Sequence, residues 1–108
     1  MTLNEFQQGA LETANISPQN RIIFPTLGLT GEAGEVADKV KKVLRDNGGC
    51  FSEDIKIEIA KEIGDVLWYC AVLAYDLGFN LDCIGIMNYE KIQSRKERGV
   101  ISGNGDNR

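Results

Sequence analysis

The chain has 108 residues, 43% of them hydrophobic and 26% charged, a balance that fits one folded domain and excludes a disordered or fibrous chain. A net charge of −4 and a pI of about 4.8 give no positive field to collect a nucleic-acid polymer, and no apolar run approaches the ~20 residues of a membrane span. Histidine is absent and Cys50, Cys70 and Cys83 form no CxxC pair, so zinc sites, histidine bases and a closed disulfide framework are disfavoured, and any chemistry must rest on carboxylates, cations and hydroxyls.

Residues 1–10 lack the basic-then-apolar layout of a signal peptide, which makes the cytoplasm the expected compartment. Thr2 with Glu5 three residues on is a capping-box pattern, and Leu3, Phe6, Ala10, Leu11 and Ala14 keep helical spacing behind it, predicting a first helix from about 3 to 14. The stretch from Asn15 to Pro25 holds both prolines and predicts a connector with one short helical turn over Gln19–Phe24. From Thr26, the residues Leu29, Ala33, Val36, Ala37, Val40, Val43 and Leu44 recur in steps of three and four, predicting an amphipathic helix to about Arg45 that Gly48 and Gly49 end.

Ser52 is an N-cap candidate, Glu53 and Asp54 suit a helix N-terminus, and apolar periodicity then runs from Ile55 to Leu77 before Gly78, predicting a third helix. Between Val66 and Leu77 it is apolar on nearly every side, as expected of a central helix covered by neighbours or by a second subunit. Asn80 can cap a fourth helix from Leu81 to about Arg98. No strand-like alternation and no repeat compete with these elements. The expectation is an all-α, four- to five-helix bundle in one domain, residues 1–98, completed by homo-oligomerisation. Residues 99–108, rich in glycine, are expected to form a flexible tail or a flap that a ligand orders.

Two acidic pairs stand out in this frame. Glu32 and Glu35 lie three apart on the second helix, and Glu62 and Asp65 lie three apart on the third; that spacing puts each pair on one helix face. Four carboxylates on facing helices would make an oxygen-rich site that leaves room for water and phosphate, as magnesium requires. Acids on helices usually form a solvated face, but at about 100° per residue Glu62 falls among Ile55, Ile59, Val66, Tyr69 and Leu73, inside the apolar stripe. An acid there must be protonated, paired or bound to a metal. Glu32 and Asp65 flank their own stripes, and Glu35 sits further toward the polar side. Gly31, Gly34 and Gly64 interrupt the same helices at up to about 1 kcal/mol each, which predicts close approach there by a neighbouring helix or by bound phosphate and metal.

At these residues the sequence resembles the MazG-type all-α nucleotide pyrophosphohydrolases. The resemblance rests on Leu29-Thr30-Gly31-Glu32-Ala33-Gly34-Glu35-Val36 followed by Glu62-Ile63-Gly64-Asp65-Val66-Leu67-Trp68-Tyr69, a Glu-x-x-Glu then a Glu-x-x-Asp on successive helices. It implies magnesium, or manganese, bound by Glu32, Glu35, Glu62 and Asp65, and cleavage of a nucleoside triphosphate to monophosphate and pyrophosphate by a homodimer or homotetramer, with neither a nucleic-acid polymer nor a membrane as partner. One departure is Gly31, where the family often carries a further acid. Without histidine, the general base would be Glu35 or Glu32.

On the fourth helix, Leu81 and Ile84 define an apolar face that Asn88, Lys91 and Arg95 continue. Cations in register with a core stripe are candidates for phosphate contacts, and the resemblance agrees, since an Asn-x-x-Lys-x-x-x-Arg pattern recurs in the last helix of similar proteins. Arg98 and the tail are candidates to close over a triphosphate. Trp68 is a candidate to stack on a nucleobase, with packing in the core as the alternative. Tyr69, Phe6, Gln7 and Phe24 are further wall candidates, and Lys39 reads as a surface salt-bridge partner. The rival to an enzyme is a non-catalytic helical dimer whose buried acids pair with Lys91 and Arg95 in an interaction module.

Overall fold

Four α-helices and one 3-10 turn make up the computed structural model, which describes residues 1–108, and no strand is present. The first helix, α1, spans Leu3–Glu12, capped by Thr2, whose hydroxyl accepts the Glu5 N–H at 3.0 Å. It stops short of residue 14 because the Thr13 hydroxyl and the Thr13 N–H both bond the Ala10 carbonyl, a local alternative to continuing the helix. The connector carries its turn at Pro18–Asn20, earlier than the expected Gln19–Phe24.

Helix α2 spans Ile23–Asp46, starting three residues before Thr26. Pro25 is accommodated because first-turn N–H groups have no intrahelical partner to lose. Gly48 and Gly49, at φ +60° and +80°, reverse the chain into α3, Glu53–Asp76, where Ser52 accepts the Ile55 N–H. Gly78 at φ +88° closes α3, and the Phe79 N–H reaches back to the Ala74 carbonyl, the paired terminus that a left-handed glycine permits. Asn80 then caps α4, Leu81–Glu97, by accepting the Cys83 N–H at 2.8 Å.

Helices α2 and α3 pair antiparallel, α1 packs on α3 and α4, and all three others lie against α3, the central helix that its sequence predicts. The core gathers where α1, α3 and α4 meet: Ala10, Ala71, Val72, Ala74 and Leu81 are buried together, ringed by Phe6, Ala14, Ile16, Leu67, Trp68 and Cys70. Its polar centre is Gln7, 2% exposed. The Gln7 amide donates to the carbonyls of Ala71 and Phe79 at 2.9 and 3.2 Å and its oxygen accepts the Leu81 N–H at 3.1 Å. Asn4 accepts the Asp82 N–H, so two side chains of α1 fix how α4 leaves α3. Arg21 clasps Asp76 at 3.1 Å and ties the connector to the end of α3.

Helix α4 departs from α3 with a bend of 100°. The result is an open chain: its radius of gyration is 16.7 Å, whereas about 13 Å is usual for this length. Ile23, Phe24 and Leu27 on α2, Ile57 and Ile63 on α3, and Ile86, Met87 and Tyr89 on α4 are all exposed. No single helix is long and apolar enough to cross a membrane.

Candidate metal centre

The antiparallel pairing of α2 and α3 sets Glu32 opposite the turn of α3 that carries Glu62 and Asp65. One carboxylate oxygen from each lies within 4.8 Å of the other two. Glu32 and Glu62 are half-buried and Asp65 is exposed. The Glu32 carboxyl is raised above its ordinary value of 4.5 by partial burial first, then by the charge of Asp65, the adjacent Glu62 carboxylate and the charge of Glu35. Three hard oxygen donors whose negative charges oppose one another fit a small divalent cation, which would relieve that repulsion. Glu35, one turn along α2, is exposed and outside the group of three.

Glu62 is not left as a lone anion in its apolar stripe, because Lys39 Nζ lies 3.5 Å from its Oε1. Lys39 therefore pairs across the helix interface rather than along its own helix. Of the two alternatives for the glycines, close approach by a neighbouring helix of the chain is corrected. A Cβ on Gly31, Gly34 or Gly64 would meet nothing within 4 Å, whereas one on Gly28 would run into the Tyr69 ring. Helix-interrupting glycines mark close approach only where a bulky partner faces them, and within this chain only Gly28 has one of the four.

Tyr69, resting on Gly28, also meets Phe24 with ring centroids 6.4 Å apart and Trp68 edge-on at 5.0 Å. This aromatic row begins one helical turn beyond Asp65. Trp68 is half-buried beside the core and its indole N–H donates to the Thr13 hydroxyl at 2.9 Å. Of the other wall candidates, Phe24 joins the row, Phe6 packs beside the core and Gln7 lies inside it. The hollows of the surface lie elsewhere: one of about 360 Å³ near Lys39, Lys42, Asp46 and Asp54 at the α2–α3 turn, another of about 580 Å³ near Gln8, Tyr75 and Phe79. Neither is lined by the three acids, which sit on an open face.

The basic residues of α4 do not join the acids within one chain. Lys91 and Arg95 both bond Asp106, and Arg98 donates to Ser94 Oγ and to the Arg108 carbonyl. Asn88 is exposed. The 100° bend, short of a full reversal, is the cause: with 1.5 Å of rise per residue, Asp65 stands about 16 Å before the end of α3 and Lys91 about 15 Å into α4, which leaves the two about 20 Å apart in a straight line. Pairing of the buried acids with Lys91 and Arg95, on which the interaction-module rival depends, is therefore absent from the chain. Asp106, the partner both cations do have, carries no sequence signal beyond its place in a glycine-rich tail.

A family model for the MazG nucleotide pyrophosphohydrolase domain matches residues 25–100. The chain belongs to the MazG family. The matched span of this MazG chain holds all four acids together with Asn88, Lys91, Arg95 and Arg98, and ends at Val100. MazG proteins generally use a divalent metal, consistent with the three convergent oxygens. The chain is also 51% identical over 85 residues to the "Gene 37 protein" of Mycobacterium phage L5, which covers 79% of this chain and 75% of that protein. No solved structure matches it.

Proposed function

We propose that this MazG chain hydrolyses a nucleoside triphosphate to the monophosphate and pyrophosphate, with magnesium, or manganese in its place, held by Glu32, Glu62 and Asp65. The observation that carries this reading is the convergence of those three oxygens from two helices within 4.8 Å. When bound, magnesium supplies a Lewis acid that neutralises phosphate charge and acidifies water. Glu35, free of the three-oxygen group and one turn from Glu32, takes the proton of the attacking water as it adds to the α-phosphorus. The row of Phe24, Tyr69 and Trp68 provides an apolar wall for the base beside the acids.

Lys91 and Arg95 neutralise the departing pyrophosphate, with Asn88 and Arg98 on the same helix as further contacts. Since the basic pair lies about 20 Å from the acids across the α3–α4 bend, the clamp over one acid cluster comes from α4 of a second copy. The exposed apolar residues of α2, α3 and α4 and the extended shape support such a homo-oligomer.

The test is release of pyrophosphate from each ribo- and deoxyribonucleoside triphosphate, with and without magnesium. Turnover of at least one in the metal-dependent arm is expected. No release from any of them would overturn the enzyme reading, and loss of turnover in Glu62→Gln with the unfolding transition preserved would tie it to the acids.

A further inference from the structure

Residues 99–108 form a braced loop against α4. Gly99 at φ +70° turns the chain back after the helix, and the Val100 N–H bonds the Arg95 carbonyl. The guanidinium of Arg108 then sits inside the loop, donating to the carbonyls of Val100 at 3.1 Å, Gly105 at 2.7 Å and Ile101 at 2.6 Å. A Cβ on Gly103 would crowd Arg108 Cδ at 3.2 Å, and Gly103 and Gly105 both have positive φ, so the glycines are what let the chain close around the arginine. Arg98 secures the far end by donating to the Arg108 carbonyl at 2.8 Å.

What this loop delivers to α4 is Asp106. Its Oδ1 accepts from Lys91 Nζ at 2.9 Å and from Arg95 Nη2 at 3.3 Å, and its main-chain carbonyl also accepts from Arg95 Nη2. We propose that Asp106 is a positioning residue: presented by the Arg108-braced loop, it holds Lys91 and Arg95 side by side so that their remaining donors meet phosphate oxygens. This rests on the reading of Lys91 and Arg95 as the phosphate clamp.

Three features favour positioning over simple competition with phosphate. One acceptor on Arg95 is a neutral carbonyl, which orients without cancelling charge. Arg95 is only 11% exposed and bonds Asp106 through Nη2 alone, so the guanidinium is held at one nitrogen with part of its fork still unused. Lys91 retains two further N–H donors beyond the one on Asp106. The Asp106 carboxyl is lowered by Lys91 first and then by Arg95, in keeping with the contacts that it makes to both cations. The loop lies almost wholly beyond the residues that the family model matches.

The test uses the full chain and calorimetric titration with inorganic tripolyphosphate in magnesium buffer, alongside turnover of the nucleotide found to be hydrolysed. Asp106→Ala is expected to weaken tripolyphosphate binding about tenfold and to raise KM by a similar factor, with kcat changed much less. Asp106→Glu should recover most of the loss. Arg108→Lys, which loosens the brace but leaves Asp106 in place, should fall between them. Equal or tighter binding by folded Asp106→Ala would overturn the proposal, tighter binding meaning that the carboxylate competes with phosphate. A wild-type chain that binds no tripolyphosphate would also overturn it. Binding that weakens in Asp106→Ala while the wild type hydrolyses no nucleotide would leave this proposal standing and remove the enzymatic one.

Discussion

Lys39 Nζ lies 3.5 Å from Glu62 Oε1, so one acid of the proposed metal site already faces a cation. An arriving divalent ion must compete with that ammonium. Replacing Lys39 by methionine removes the competitor and keeps the aliphatic stem, so manganese affinity, read by calorimetry, should tighten several-fold. The pair is partly exposed, and its loss should lower the stability of the metal-free chain by under about 1 kcal/mol. Unchanged or weaker metal binding would show that Lys39 does not oppose the ion.

Glu32 makes the metal-free site sensitive to pH. Its folded-state carboxyl is raised above 4.5 by burial and then by the acids around it, so the folded chain holds a proton there that the unfolded chain has already released. Stability from this group is therefore present below about pH 4.5 and is lost as pH rises through the raised value. The urea midpoint of the wild type, relative to that of Glu32→Gln, should fall between pH 4 and pH 7 without metal. Saturating magnesium should suppress the fall, because the ion takes over from the proton in offsetting the charge. A difference between the two proteins that does not change with pH would show that Glu32 titrates as an ordinary surface acid.

The helices and the acid cluster were legible because their signals are local. Periodicity and the caps at Thr2, Ser52 and Asn80 place every helix, and the depth of Glu62 in its stripe marks an acid with a partner to find. The angle between α3 and α4 is a different matter, since Gln7 sets it through three bonds to residues more than sixty positions away, and a glutamine on a helix face carries no sign of such partners. Of the face expected to run from Leu81 and Ile84 through Asn88 to Lys91 and Arg95, only Leu81 is buried while Ile84 and Asn88 are exposed, and the bend carries its basic end away from the acids. Periodicity reads one helix at a time and is silent about where two helices point.

The four glycines of α2 and α3 should separate cleanly on substitution. Gly28→Ala pushes a methyl into Tyr69 and should cost about 1–3 kcal/mol by overpacking, visible as a lower unfolding midpoint. Gly31→Ala, Gly34→Ala and Gly64→Ala meet open space and should each raise stability by about 0.5–1 kcal/mol through helix propensity. These values apply at dilutions where the chain is a single copy. A loss at Gly34 or Gly64 as large as that at Gly28 would show that something outside the chain covers that face.

The separation of about 20 Å between Asp65 and Lys91 decides a last experiment. If each site takes its acids from one copy and its clamp from another, Glu62→Gln and a Lys91→Ala/Arg95→Ala double variant are each inactive alone but complementary together. Refolding the two as a mixture gives hybrids in which one site combines intact acids with intact cations while the other has neither. For a two-fold dimer with random pairing, half of the assemblies are hybrids with one working site of two, so about a quarter of wild-type turnover should return. Hybrids confirmed by mass yet without recovered activity would mean that each chain completes its own site, and α4 would then have to swing back over α2 and α3 when substrate binds.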